Sequence, residues 1–214
     1  MIASLACFLA LADKPTVGQK WHYTLTWHFY SQDIDMTDEE SFDIEVSKVL
    51  PDSCTLKISQ KLTASIVDNQ RFPTDPKAAP ASKEWVLSPT GSIAFMPNAR
   101  FPLESRIYRI LKSILPAPKG DPLRNENWKL DFEDDGLGMS QSKLQSWYVK
   151  TMKDSKEFAI SYLEKNGTNG AGRFVRTEKC AFPTLLEVKF TNTKMSGGTD
   201  IVSCDLVMKL KDGK

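Results

Sequence analysis

The side chains able to do chemistry are few, and their spacing suits little of it. The chain has two histidines, His22 and His28. They sit six positions apart on one strand-like stretch, and at ~3.3 Å per residue that separates them by roughly 20 Å, too far to ligate one metal. No G-x-S-x-G elbow is present for either to serve, and no cysteine is flagged as a nucleophile. Both read as surface histidines. Asp33, Asp35, Asp38, Glu39 and Glu40 follow closely. Their Asp33-x-Asp35-x-Thr37 start imitates a calcium loop, but such a loop needs Gly at its sixth position and Glu at its twelfth, where this chain has Asp38 and Ile44. A solvated acidic hairpin loop is expected, and Asp134 and Asp135 read the same way.

Gly167-Thr168-Asn169-Gly170-Ala171-Gly172 lacks the Lys-Ser/Thr of a phosphate loop and fails the dinucleotide-binding spacing. It reads as hairpin chemistry, with Asn166-Gly167 and Asn169-Gly170 supplying positive-φ residues. Neither a metal nor any other cofactor is expected. Of the cysteines, Cys54, Cys180 and Cys204 follow the N-terminal segment. Three allow at most one disulfide, and their spacing matches no zinc pattern. Buried small hydrophobes are expected, with at least two free thiols; the other reading is a single bridge formed in an oxidising compartment. Pairing of the last two strands about Ser196-Gly197-Gly198 would set Cys204 opposite Glu187 or Val188.

The 214 residues suit one sizeable domain or a duplicated one. A hydrophobic fraction of 41% with 26% charged residues argues against wholesale disorder. A net charge of +1 lacks the broad basic field of a nucleic-acid binder, and no nucleic-acid partner is expected. Ile2 to Ala12 is an uncharged apolar run ending in Ala10-Leu11-Ala12, the pattern of a signal peptide and its cleavage site, too short to span a bilayer. The mature chain is then expected to begin near Asp13, exported to a periplasmic or extracellular compartment.

What must be positioned is an apolar face. Trp21, Tyr23, Leu25, Trp27 and Phe29 alternate with His22, Thr24, Thr26 and His28, which puts every large ring on one side of a strand. Further strands are predicted at 37–50, at 54–66 with Cys54, Leu56, Ile58, Leu62, Ala64 and Ile66 sharing one face, and around Trp85 with a partner at Ile93. The Pro-rich stretch 69–82 should be a surface loop. At Pro102 the period changes: Leu103, Ile107, Ile110, Leu111 and Ile114 follow helical spacing, with Arg106, Arg109, Lys112 and Ser113 elsewhere on the wheel. Those cations read as a solvated helix face; Arg106, Arg109 and Lys112 would also suit contact with a membrane surface. Strands resume at Trp128, Leu144, Phe158, Phe174, Leu186 and Val202.

The expected architecture is mainly β: a curved antiparallel sheet or half-barrel of about ten or eleven strands wrapped around one central helix, because the helix has an apolar stripe and nowhere else to bury it. The alternative is a β-sandwich with the helix at one end. Gln19-Lys20-Trp21-His22-Tyr23 resembles Glu126-Asn127-Trp128-Lys129-Leu130, so the domain 13–214 divides into candidate duplicated halves, 16–101 and 125–211, joined by helix 102–115.

The order of a signal peptide, a Gly18-x-x-Trp21-x-Tyr23 strand, a meander, a Trp85 strand, a Ser88-Pro89-Thr90-Gly91 turn, a short apolar helix, a Pro-rich linker and a second Trp128 strand resembles uncharacterised bacterial envelope proteins built as two β-rich halves. More remotely it is similar to the half-barrel fold of lipoprotein-localisation carriers. That resemblance implies a cupped sheet holding acyl chains. Trp21, Tyr23, Leu25, Trp27, Ile107, Ile110, Leu111 and Ile114 are the candidate ligand-lining residues. The leading reading is an exported, non-enzymatic envelope domain that binds an apolar or lipid ligand between sheet and helix. A structural or protein-interaction module with a solid core stands against it, and a hydrolase built on dispersed acidic residues stands third.

Overall fold

A computed structural model describes residues 15–87, 93–95, 102–114, 127–133, 141–177, 180–194 and 201–213. The expected leader at 1–12, turns at 88–91 and 196–198, linker at 116–126 and loop at 134–138 lie outside them. In chain order the elements are β1 (Lys20–Tyr30), β2 (Asp35–Leu50), β3 (Ser53–Val67), β4 (Gln70–Pro73), β5 (Ala81–Leu87), β6 (Ile93–Phe95), α1 (Pro102–Ile114), β7 (Trp128–Phe132), β8 (Ser142–Met152), β9 (Ser155–Glu164), β10 (Asn169–Thr177), β11 (Cys180–Lys194) and β12 (Ile201–Gly213).

All twelve strands join one antiparallel sheet, in the order β6-β5-β3-β2-β1-β12-β11-β10-β9-β8-β7, with β4 paired to β3 alone. The sheet is not closed; β6 and β7 are its edges. The first and last strands meet in the middle, where Trp27 lies opposite Leu206 and Phe29 opposite Cys204. The period-two reading of β1 holds: Trp21, Tyr23, Leu25, Trp27 and Phe29 are all buried, and the residues between them are half-exposed.

The sheet is curled, as ring and guanidinium contacts to α1 require. Tyr108 of α1 meets Trp85 of β5 edge-on at 5.3 Å, while Arg109 lies 5.6 Å over the Phe132 ring of β7. Those two strands are nine strand spacings apart, roughly 40 Å along a flat sheet, and a helix with its side chains is only about 10–12 Å across. The concave face therefore wraps α1. β-Bulges assist the bend. One falls at Ser47 of β2, one at Thr63 of β3, one at Val149 of β8, and one at 191–192 of β11, where Asn192 takes a left-handed φ of 56°.

Four expectations are corrected by these local features. The stretch 69–82 is not wholly loop. Asp68 and Asn69, both at positive φ, close a tight hairpin that returns β4 along β3, and β5 already begins at Ala81; this raises the strand count to twelve. The bulge at Thr63 reverses the alternation of β3. Ala64 and Ile66 join Glu39 and Thr37 on the convex side, and Ser65 turns inward to bond Asp38. β2 begins at Asp35, two residues ahead of the predicted strand 37–50, so Asp35 to Glu40 are not the expected acidic hairpin loop but strand, paired in register with Tyr30 to Leu25. Of the expected positive-φ residues, Gly167 takes one at 96°, but Gly170 lies inside β10. A Cβ at Gly170 would stand 2.9 Å from the Phe190 ring, so its missing side chain makes room for that ring.

Register also moves Cys204. Thr193 pairs with Val202, and with the one extra residue of the bulge at 191–192 Cys204 falls opposite Phe190 rather than opposite Glu187 or Val188. Cys54 and Cys204 are both buried and free. Burial pushes the Cys54 thiol up to about 11 and the Cys204 thiol up to about 12. Since the thiolate is the reactive species, neither should react with a disulfide reagent at pH 8 in the folded protein, and both should react once it is denatured without reductant. Rapid labelling of either residue in the native state, located by peptide mapping, would contradict this burial.

Candidate functional site

The concave interior is where a ligand could sit, and its floor is apolar. Trp21, Tyr23, Leu25 and Trp27 on β1 and Ile107, Ile110 and Leu111 on α1 are between 0% and 6% exposed and share one cluster. The side chain of Ile114 lies outside the described residues. Rings carry the packing from sheet to helix: Tyr23 to Phe42 at 6.5 Å, Phe42 to Trp85 at 6.3 Å, then Trp85 to Tyr108. On the other side Phe158 and Phe174 stack at 4.8 Å.

The reading of a solvated cationic helix face is overturned. Every residue from Ser105 to Leu111 is buried, nearly two full turns, so no side of that segment faces water. Arg106 donates from Nε to Glu164 Oε1 at 2.7 Å and from Nη2 to Glu164 Oε2 at 3.1 Å. Arg109 donates to Ser142 Oγ at 2.7 Å and to the Glu133 carbonyl at 2.8 Å. Lys112, by contrast, is exposed. The cause is the curl of the sheet, which brings β7, β8 and β9 around the polar side of the helix. Asn166 donates to Glu164 Oε2 at 2.9 Å, and the Thr168 hydroxyl donates to the Asn192 carbonyl, fixing the turn that carries this network.

One cleft and one set of exposed apolar residues lie at the same end of the strands. A cleft of about 670 Å³ is bordered by Phe132, Glu133, Gln141, Ser142, Glu164 and Lys165, beside the two helix arginines. Across the cup, register places Leu62, Val67 and Phe72 on the concave side; they are 37%, 38% and 53% exposed. Phe72 lies opposite Ser65, which lies opposite Asp38, which lies opposite Trp27. The apolar floor thus continues outward past a polar row into exposed apolar residues.

The histidines are brought to neither place. They lie on the convex face of β1, where His22 Nδ1 meets Asp43 Oδ1 and His28 Nε2 meets Asp35 Oδ1, each at 2.9 Å. Glu39, also convex, bonds Arg71, and that hydrogen bond lowers its carboxyl below the usual range. The sequence reading missed Glu164, Ser142, Tyr162 and Thr193. The signal for Glu164 was present. It follows Phe158, Ile160 and Tyr162 at the inward parity of β9, and a carboxylate at a core position must have a partner. Tyr162 is buried, and burial, reinforced by the charge of Glu164, raises its phenol far above the ordinary value.

These observations define a class: an open, curled antiparallel sheet that encloses one helix over an aromatic floor. No protein-family model matches the chain, and no curated protein does. Among solved structures it is similar in fold to a lipovitellin chain, from a structure titled for lipid–protein interactions in lipovitellin. The TM-score is 0.55 at 9% identity, over 94% of this chain and 26% of that one. The chain therefore spans about a quarter of the length of the lipovitellin chain it matches.

Proposed function

We propose that this chain is a non-enzymatic binding domain for an apolar or lipid ligand, held between the concave face and α1. The observation that carries the reading is the continuity of the concave surface. It runs from a buried aromatic floor to Leu62, Val67 and Phe72, which reach solvent on the same face, and exposed apolar surface of this kind marks binding sites. The fold shared with lipovitellin supports it. A second reading, an interaction module with a solid core, is favoured by the burial of the candidate lining residues themselves. In the ligand-binding reading the same burial means that α1 fills the space when no ligand does. The run from Ile2 to Ala12 further supports an exported protein, and placement in the periplasm or outside the cell is part of the proposal.

One native mass spectrum tests both parts. Protein purified from its natural host, or mixed with phospholipid vesicles, is expected to carry a lipid-mass adduct lost on mild collisional activation. The polypeptide itself is expected to begin near Asp13. Bare polypeptide in both preparations would overturn lipid binding, and an intact 24.1 kDa chain from the host would overturn export.

A further inference from the structure

The binding reading leaves one part of the interior unexplained: its polar atoms. Arg106 uses Nε and Nη2, one edge of its guanidinium, on Glu164. Its Nη1 is buried and has no hydrogen-bond partner among the described residues. The same is true of the Tyr162 hydroxyl and the Thr193 hydroxyl. Two of these groups flank one ring, and the third follows it on the same strand. Arg106 lies 6.0 Å over Phe190, and Tyr162 meets Phe190 edge-on at 5.8 Å. Thr193 follows Phe190 on β11 across the bulge and faces inward, opposite the buried Val202. All three residues are at least nine-tenths buried. Leaving so many donors unused in an apolar interior is costly, and native proteins seldom do it without a partner for them.

We propose that these three groups seat the polar head of an amphiphile, an anionic acceptor such as a carboxylate or a phosphate, while its chain lies along the aromatic floor. The proposal rests on the lipid-binding reading above and adds its head-group chemistry. Each free group can donate: the guanidinium N–H, the phenol O–H and the alcohol O–H. The phenol keeps its proton at any physiological pH, because burial suppresses its ionisation. Glu164 already neutralises Arg106, so the pocket does not demand a counter-charge; a carboxylate or phosphate suits it because its several oxygens can accept from all three donors at once. The cleft bordered by Phe132, Gln141, Ser142 and Glu164 gives an approach from solvent.

The test compares three probes with one tail: oleate, oleoyl lysophosphatidate and methyl oleate, titrated by tryptophan fluorescence. For the unmodified protein at least one of the two acids is expected to bind about tenfold tighter than the ester, the scale of one or two charge-assisted hydrogen bonds. The tighter acid names the natural head group. In the double variant Tyr162→Phe, Thr193→Val, shape is kept and only the hydroxyls go, so the melting temperature should hold and the acid-to-ester ratio should fall to within about threefold. Equal binding of acid and ester, or a ratio that survives both substitutions, would overturn the head-group site and assign those donors to ordered water. Failure of all three probes would overturn the lipid-binding reading beneath it.

Discussion

Glu164→Ala is expected to cost about 3–5 kcal/mol of stability, because it strands a buried guanidinium. Arg106 is 3% exposed, and its only carboxylate partner among the described residues is Glu164, itself fully covered at the side chain. The loss should appear as a drop on the order of 10 °C in melting temperature for a chain of this size. Glu164→Gln keeps an acceptor for Arg106 and should recover part of it. The double variant Arg106→Met, Glu164→Ala should recover more, since removing both charges avoids the desolvation cost that removing one exposes. Urea unfolding of these proteins together with the single variant Arg106→Met measures the cycle. A single-variant loss under ~1 kcal/mol would mean that the pair is hydrated in solution and that α1 is not clamped through it.

The fold was legible where local periodicity decides it. The alternation of β1, the helical spacing from Pro102 and the need to cover both imply a curled sheet around one helix. Legibility ended where a single residue changes the phase. The bulge at Thr63 reverses the faces of β3, and the one at 191–192 shifts β11 by one residue against β12, yet neither leaves a composition signal in its own strand. The Asp68-Asn69 hairpin did carry one, hidden among prolines that suggested loop. The helix arginines failed for a different reason. A helical wheel places them opposite the apolar stripe, and that side is solvated only if nothing wraps it. Whether β7, β8 and β9 return to it is decided by curvature summed over the sheet, which no window of sequence contains.

Inward polar residues form a second lesson about the site. Asp38 and Glu40 on β2 lie opposite Trp27 and Leu25, and Glu164 continues the inward row of β9. Glu40 accepts from Gln60, and Asp38 from Ser65. β2 and β9 therefore become polar toward the same end of the cup, where Leu62, Val67 and Phe72 are exposed and the cleft opens. An apolar floor that turns polar at one rim suits an amphiphile in one orientation, with its head at the rim, and this polarity is readable from parity once the strands are known.

Ile110→Ala should destabilise the ligand-free protein by about 2–5 kcal/mol, as removal of a fully buried branched side chain does. Ile110→Asp should prevent folding, because a carboxylate would be desolvated there without a partner. The informative measurement is made on the alanine variant with an apolar fluorescent probe. If α1 fills the space that a ligand takes, helix and probe compete for the concave face, and weakening the helix must strengthen the probe. A stabilisation of the filled state by even 1.4 kcal/mol suppresses apparent affinity about tenfold, and the variant removes that suppression. The expected result is therefore opposite signs: lower stability together with probe affinity raised by about tenfold or more. Lower stability with no probe binding in either protein would favour the solid-core module. Lower stability with weaker probe binding would mean that α1 holds the ligand rather than yielding to it, with Ile110 on the wall of the occupied site.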